Sequence, residues 1–295
     1  NTYTDVLQEA VRPETGRIHC IFQQTVGATG RLISTDPDLQ RTPIKTPEGA
    51  RIRQTFVAPP GHKLIAADWS QIELRLLAHF TNDPSLVEAF VTGDDVHRRT
   101  AAQLFGCAPE EVDKQRRDVG KLVNFATIYG QGATALGQIL GVKRAEAQSY
   151  IDGYFAAYAG VREWLDDTIA EAHAHGYVTT LAGRRRYIPE LSARAFMEKQ
   201  AGERIAANTP IQGSAADLCK QAMLDIDTAI REGGYRTRML LQIHDELVFE
   251  APDDEVAAMV ELVRERMERV VQLHVPLVAD VGVGGTWRAA KENPV

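Results

Sequence analysis

Two aspartates, far apart in the chain, each stand beside an apolar segment that could hold a carboxylate in place. Asp68 follows residues 64–67, four apolar residues typical of a buried strand. Asp245 lies with His244 at the centre of RMLLQIHDELVFEAP, a pattern typical of two strands joined by a tight turn. If these strands are neighbours in one sheet, the two carboxylates converge and repel each other unless a cation neutralises them. Oxygen ligands suit Mg²⁺, and two such ions about 4 Å apart can bind the attacking and leaving oxygens of a phosphoryl transfer.

Each acid also has a simpler interpretation. Asp68 could place a negative charge at the start of the helix that follows it, where the helix dipole favours an acid. His244 and Asp245 could form a solvated turn. The residues alone leave these alternatives open.

The segment RRDVGKLVNFATIYG carries side chains suited to a triphosphate and a base. On a helix of about 3.6 residues per turn, positions four apart drift by only about 40° per step. Arg117, Lys121, Phe125 and Tyr129 therefore form one oblique stripe, called here the 117–129 stripe. Cations bind phosphates, and aromatic rings offer stacking surfaces for bases. The alternative is a surface helix whose basic stems cover the edge of a core.

Residues 1–175 are predicted to form strands followed by helices. Short strand-like pieces and turns fill residues 1–60. The strand at 64–67 is expected to give way to a helix from about Ser70, with Ser70 and Glu73 forming a capping box. Residues 83–175 are helical by periodicity.

The rest of the chain, from residue 177, is predicted to form further strands and helices. YVTTLAGRRRYIPE is expected to form a hairpin that turns at Ala182-Gly183, followed by two helices at 194–207 and 214–231. After the paired strands around Asp245, we expect a helix capped by Asp253 or Asp254 and a last strand in VPLVADVGV. Strands on both sides of a helical region predict an α+β fold: a sheet-based domain that carries a helical insertion.

Composition is ordinary for a globular protein of 295 residues, with 44% hydrophobic and 25% charged residues. No run of about 18 apolar residues predicts a membrane span. The three cysteines form no CxxC pair, and His173 and His175 point to different faces of a predicted helix, so no zinc site is expected. The net charge of −7 argues against a nucleic-acid partner, whereas the basic residues among positions 12–53, which include Lys45, are consistent with a basic cleft.

Together these segments resemble the family A DNA polymerases, the bacterial DNA polymerase I type. DWSQIELR resembles motif A of that family, RRDVGKLVNFATIYG its motif B and HDE its motif C. TGRLISTDPDLQ, GRRRYIPE and NTPIQGSAADL match further segments in the family's order. The likeness runs over residues 2–291. It implies a right-hand polymerase fold that lacks most of the thumb, with an antiparallel-sheet palm in residues 1–78 and 193–295 and helical fingers in residues 79–192.

The resemblance also implies a role for each matching residue. Asp68 and Asp245, with the backbone carbonyl of Trp69, would hold two Mg²⁺ ions, for which Mn²⁺ could substitute, and Glu246 would be an auxiliary acid. Lys121 would bind the incoming triphosphate and donate a proton to pyrophosphate. The other nucleotide contacts are assigned to Gln71, Glu73, His97, Arg117, Phe125 and Tyr129, and the primer–template contacts to Arg31, Arg204, Asn208, Gln212 and His244.

The chain departs from the family's pattern in several places. Trp69 replaces the usual Tyr of motif A, Ala126 stands where Gly usually follows the Phe of motif B, and Asp118 stands where a second basic residue is common. Asp38 and Arg41 replace asparagines. The family's thumb would precede residue 2, so we expect a palm–fingers fragment or a piece of a longer protein, with low processivity.

The expected function is template-directed DNA synthesis, in DNA replication and repair, by a monomer in the bacterial cytoplasm, associated with the nucleoid. A primer 3′-hydroxyl attacks the α-phosphate of a dNTP and pyrophosphate leaves. The alternative is a primer–template-binding fragment with little activity, because the thumb is absent. A two-metal nuclease is a second alternative, against which the 117–129 stripe argues because a nuclease has no need to hold a free triphosphate. Primer–template DNA and dNTPs are the expected partners, and no membrane is expected.

Overall fold

The first part of the chain contains short strands and two helices that lead into one long strand. The computed structural model describes residues 3–43 and 46–295, so Thr2 and Lys45 lie outside the described residues. The elements are α1 (Thr4–Glu9), β1 (Val11–Arg12), β2 (Arg17–Ile18), β3 (Ile21–Gln23), β4 (Ile33–Thr35), α2 (Pro47–Gln54) and β5 (His62–Trp69).

The middle of the chain is helical, as the periodicity predicts, and ends in a hairpin. The hairpin turns through Gly183, whose φ of 77° suits glycine, so the predicted turn at Ala182-Gly183 is confirmed. The elements are α3 (Ile72–Thr81), α4 (Pro84–Thr92), α5 (Val96–Phe105), α6 (Lys114–Ile128), α7 (Ala133–Leu140), α8 (Arg144–Ala157), α9 (Ala159–His175), β6 (Tyr177–Thr179) and β7 (Arg185–Tyr187).

The last part begins with one long helix and then supplies the remaining strands of the main sheet. The elements are α10 (Phe196–Glu232), β8 (Arg238–Ile243), β9 (Glu246–Pro252), α11 (Val256–Glu268), β10 (Ala279–Gly284) and α12 (Trp287–Glu292).

The prediction of two helices at 194–207 and 214–231 was wrong, because α10 is continuous with Pro210 inside it. A proline removes a helix donor and usually ends or kinks a helix. Here the hydroxyls of Thr209 and Ser214 donate to carbonyls one turn earlier, so both side chains are hydrogen-bonded within the helix. Ile211 is buried beyond the proline, so packing continues through the segment.

One predicted helix cap was also wrong, and in one predicted capping box the backbone amide has another partner. Helix α3 begins at Ile72, close to the predicted start. The Ser70 N–H donates to the carbonyl of Val278 at 2.9 Å, whereas a capping box requires it to donate to Glu73, and the cap by the Ser70 side chain stays a prediction. Helix α11 begins after Glu255, with no side-chain cap. The Glu255 carboxylate instead accepts from the amides of Arg236 and Thr237, which fixes the chain there without Asp253 or Asp254.

Within the described residues, strands β10, β5, β9 and β8 form an antiparallel sheet in that order. In the register of this sheet Asp68 lies between Asp280 of β10 and Glu246 of β9. Strand β5 runs to Trp69, so Asp68 lies inside the strand and not beyond its end as predicted. The predicted two-residue connection between β8 and β9, His244-Asp245, is confirmed.

Helices cover both faces of this sheet. On one face, Leu64 and Ala66 pack with Trp287 and Ala290 of α12 in a buried cluster. Side chains alternate along a strand, so Asp68 shares this face with α12. On the other face the Trp69 indole donates to the carbonyl of Met267 in α11 at 3.0 Å. The predicted α+β architecture is therefore confirmed.

The chain divides into two compact units. The sheet unit comprises Asn1–Ile72, Ala215–Val271 and Leu277–Val295, and the helical unit comprises Glu73–Ser214 and Gln272–Pro276. Among the helices of the described residues, none combines the length and the apolar character needed to cross a membrane.

Candidate active site

The sheet unit brings together the acids that the sequence singles out. Asp68 and Glu246 are direct partners on neighbouring strands, and Asp245 immediately precedes β9. The carbonyl of Asp245 accepts a hydrogen bond from the Trp69 amide at 3.4 Å. His244 has a φ of 55°, and the favoured two-residue hairpin turns have a positive φ at this first position. The side chains of Asp68 and Asp245 are 35% and 31% exposed, so solvent reaches both.

Two cations from distant parts of the sheet unit contact these acids. The Lys291 ammonium lies 2.6 Å from Asp68 Oδ2 and 3.1 Å from Glu246 Oε2. Burial alone would lower the pKa of Lys291, but Glu246 and Asp68 raise it overall. Arg53 is buried, with its Nη1 3.8 Å from Glu246 Oε2. Burial lowers the pKa of Arg53, partly offset by the same two carboxylates.

Glu246 is held in a buried network. The Trp287 indole donates to Glu246 Oε1 at 2.6 Å, and the Arg53 guanidinium lies 3.9 Å from the centre of the Trp287 ring. Glu246 itself is buried. These contacts fix its carboxylate beside Asp68, and its role as an auxiliary acid stays a prediction.

The donor set fits a hard divalent cation that keeps part of its water shell. In the described part of the chain, no cluster of three or more His, Cys, Asp or Glu side chains is arranged to hold a metal by itself. Mg²⁺ is typically bound through one or two carboxylates plus waters and substrate phosphates. Asp68 and Asp245 provide two solvent-accessible carboxylates, and an ammonium already lies against one of them, so the location accepts positive charge.

The predicted primer–template residues of the sheet unit lie beside these acids. Arg31 Nη2 is 3.9 Å from Asp245 Oδ1, and Arg31 and His244 line one small cavity. Burial lowers the pKa of His244, and the positive charges of Arg31 and Arg53 lower it further. The predicted nucleotide contact Gln71 has a φ of 55°, and its buried side-chain oxygen has no hydrogen-bond partner within the described residues.

The helical unit contains the 117–129 stripe. Helix α6 carries Arg117, Lys121 and Phe125, and Tyr129 is its C-cap residue, so the predicted helical spacing is confirmed. The Phe125 and Tyr129 rings are stacked, with centroids 6.3 Å apart and an interplanar angle of 17°. Lys121 is exposed and the Arg117 side chain is 33% exposed, so both cations can reach a ligand.

Close packing of α5 against α6 places His97 beside the stripe. A Cβ on Gly120 would lie 2.3 Å from the carbonyl oxygen of His97, so only glycine permits this approach. His97 is buried, 5.9 Å from the Phe125 ring, with Nδ1 3.3 Å from Asn124 Nδ2. Burial, with the positive charges of Arg117 and Lys121, lowers the pKa of His97 to about 4 against the opposing effect of Asp95. His97 is therefore neutral at pH 7.

Asp95 connects the two helices electrostatically. Its Oδ1 is the N-cap acceptor of α5, bonded to the amides of His97 and Arg98. Its Oδ2 accepts from Arg117 Nε at 2.5 Å. Burial alone would raise the pKa of Asp95, but Arg117 and the Arg98 amide lower it overall.

Glu73 and Tyr129, both predicted nucleotide contacts, bond to each other. The Tyr129 hydroxyl donates to Glu73 Oε2 at 2.8 Å, and Glu73 is buried. Glu73 therefore orients the ring that ends the stripe.

Helix α10 carries the other predicted primer–template residues at intervals of four. Arg204, Asn208 and Gln212 consequently share one face of the helix. A Cβ on Gly130 would lie 3.2 Å from Arg204 Cγ, so this face begins next to the end of α6. The buried side-chain oxygen of Asn208 has no hydrogen-bond partner within the residues described.

Sequence reasoning missed four residues that contact the candidate site: Arg53, Asp95, Trp287 and Lys291. Asp95 could have been found, because an Asp two residues before His97 is a typical N-cap. Arg53 counts only among the basic residues at positions 12–53, and no local pattern gave a signal for Trp287 or Lys291, since the contacts of all three depend on how distant segments pack.

Comparison with known proteins gives consistent results. The profile of DNA polymerase family A matches residues 1–289. DNA polymerase I of Pseudomonas aeruginosa is 50% identical over 290 residues, which are 98% of this chain and 32% of that protein. The thermostable DNA polymerase I of Thermus aquaticus is 48% identical over 292 residues, which are 99% of this chain and 35% of that protein. This chain thus spans about a third of the length of these curated relatives.

A solved structure is also similar. It is described as the POL domain of Pol1 from M. smegmatis in complex with DNA primer-template and dNTP. The TM-score is 0.94 at 45% sequence identity, over 97% of this chain and 51% of that one.

Proposed function

Because this chain belongs to DNA polymerase family A, we propose that it carries out template-directed DNA synthesis, transferring a deoxynucleotidyl group from a dNTP to a primer 3′-hydroxyl. The observation that carries the proposal is the pair of accessible carboxylates in the sheet unit: Asp68 lies in β5, and Asp245 immediately precedes the neighbouring strand β9. In this proposal residues 1–78 and 193–295 form a palm and residues 79–192 form fingers.

Asp68 and Asp245, with the Trp69 carbonyl, would hold two Mg²⁺ ions, and Mn²⁺ would fit the same oxygen ligands. When bound, the ions would stabilise the negative charge that develops on the attacking 3′-oxygen and on the departing pyrophosphate. Glu246, fixed by Trp287 and Arg53, holds a further negative charge beside Asp68.

The stripe would bind the nucleotide. Arg117 presents a planar fork and Lys121 a point charge to the triphosphate, and Lys121 donates a proton to the leaving pyrophosphate. Phe125 packs on the sugar and base, and Tyr129 lies at the templating position. The remaining nucleotide contacts are Gln71, neutral His97, and Glu73, which excludes a ribose 2′-hydroxyl.

Arg31, Arg204, Asn208, Gln212 and His244 would contact the primer–template. The unpartnered Asn208 oxygen supports such a contact, because a buried acceptor without a partner costs free energy until a ligand donates to it.

The test is primer extension by Asp245→Asn, which retains the shape of the side chain and removes its charge. Since metal assistance supplies several kcal/mol and each 1.36 kcal/mol is tenfold, extension should fall by about a thousandfold. Asp253→Asn, an exposed acid beyond β9, is the matched control and should extend at the wild-type rate. Extension by Asp245→Asn near the wild-type rate would exclude the proposed site. Wild-type protein that binds primer–template but never extends it would favour the binding fragment, and DNA cleavage without dNTPs would favour a nuclease.

A further inference from the structure

Helix α12 is built to place Lys291 against the acids of the sheet. A Cβ on Gly282 would lie 2.1 Å from the Ala290 carbonyl oxygen, and one on Gly284 would lie 2.4 Å from the Ala290 nitrogen. Glycines in β10 therefore let the α12 backbone lie directly on the strand. Trp287 and Lys291 are four residues apart, so they share one face of the helix, and both contact Glu246.

The acids require such a cation. Asp68 and Glu246 are directly opposite each other on antiparallel strands, where like charges destabilise the pair. Glu246 has further partners in Trp287 and Arg53, whereas among the described residues the hydrogen bond to the Asp68 carboxylate comes from Lys291. A divalent ion bound to Asp68 would interact with the same carboxylate charge and the same oxygens as Lys291, so the ion and the ammonium compete.

We propose that Lys291 is an internal cation that neutralises Asp68 when no divalent ion is bound and moves toward Glu246 when an ion takes its place, so that it sets the affinity of the site for the ion. The movement is short, because Lys291 already lies 3.1 Å from Glu246 Oε2. Its side chain is 33% exposed and its four-carbon stem is flexible. This inference rests on the proposed metal site.

Mn²⁺ binding to the whole chain, followed by the electron paramagnetic resonance signal of free Mn²⁺, tests the inference without an activity assay. Lys291→Met keeps the apolar stem and removes the charge. Exposed to half-buried ion pairs contribute modestly, so this variant should bind Mn²⁺ about three- to tenfold more tightly than the wild type. Lys291→Gln should show a similar gain, and Lys291→Arg should retain the wild-type affinity. Arg288→Met is the matched control, because Arg288 lies on the same helix and pairs with Glu292, and its affinity should not change.

Thermal unfolding gives a second readout that also confirms folding. In EDTA, Lys291→Met should unfold at a lower temperature than Arg288→Met, and added Mn²⁺ should stabilise it by more than it stabilises the wild type. Asp68→Asn should abolish the Mn²⁺ effect in both the wild-type and the Lys291→Met background.

The outcomes separate this inference from the proposed function. If Asp68→Asn weakens Mn²⁺ binding but Lys291→Met binds with unchanged or lower affinity, the metal site stands and the role of Lys291 is refuted. If Asp68→Asn binds Mn²⁺ as the wild type does, the metal site itself is wrong and the inference fails with it.

Discussion

The buried neutral His97 should make the stability of the protein depend on pH. The unfolded chain binds a proton at His97 at the ordinary pKa of 6.5, whereas the folded chain binds it only at about 4. Between these pH values the unfolded state binds more protons, so the free energy of unfolding decreases as the pH falls. With 1.36 kcal/mol for each pKa unit, the full contribution is about 3 kcal/mol, of which about 2 kcal/mol is lost between pH 7 and pH 5.

Urea unfolding at pH 5, 6 and 7 measures this contribution. Other groups also titrate, so the informative quantity is the difference in pH dependence between the wild type and His97→Gln, which cannot take up the proton. The variant should lose about 2 kcal/mol less than the wild type between pH 7 and pH 5. His175→Gln, at an exposed histidine of α9, should keep the wild-type pH dependence. Equal pH dependence of the wild type and His97→Gln would show that His97 does not resist protonation, and the burial argument would be wrong.

Two further predictions concern the packing of α5 against α6. Gly120→Ala should destabilise the protein by about 1–3 kcal/mol in thermal unfolding, although alanine usually favours a helix, because its Cβ would meet the His97 carbonyl at 2.3 Å. Gly153→Ala, whose Cβ would meet only a leucine methyl at 3.2 Å, is the control, and equal effects of the two variants would contradict the close approach. Asp95→Asn keeps an N-cap acceptor but removes the carboxylate charge that pairs with Arg117 Nε and holds that side chain in place. Steady-state kinetics should therefore show KM for dNTP raised about three- to tenfold with kcat nearly unchanged. Asp113→Asn, at the N-cap of α6, should leave KM unchanged, and a similar rise there would refute a specific effect through Arg117.

The features that sequence predicted well depend on local patterns. Apolar residues on both sides of His244 and Asp245 predicted two strands and a tight turn, and β9 is buried along its whole length, which explains its nearly continuous apolar run. The four-residue spacing of Arg117, Lys121 and Phe125 predicted a single stripe because helix geometry fixes it.

The features that sequence missed depend on tertiary partners. Asp253 and Asp254 look like N-caps, but α11 begins after Glu255, whose carboxylate accepts from the amides of Arg236 and Thr237. The interruption predicted near Pro210 does not occur, because Thr209 and Ser214 bond within α10 and buried neighbours keep the helix packed. Local preference loses in each case to a contact that no short segment encodes.

The ion pairs of the sheet unit also depend on contacts between distant segments of the chain, and these pairs have a physical consequence. Within the described residues, each of the three acids has a cation nearby: Lys291 for Asp68, Lys291 and Arg53 for Glu246, and Arg31 for Asp245. The acids can therefore lie together in the folded chain before any divalent ion binds. A divalent ion that binds without a nucleotide has a small net binding free energy, because it displaces cations that already neutralise the acids. A divalent ion that binds together with a triphosphate has a more favourable binding free energy, since the phosphate oxygens supply ligands and negative charge that the protein cations do not neutralise. This arrangement would couple occupation of the site by ions to the presence of the nucleotide.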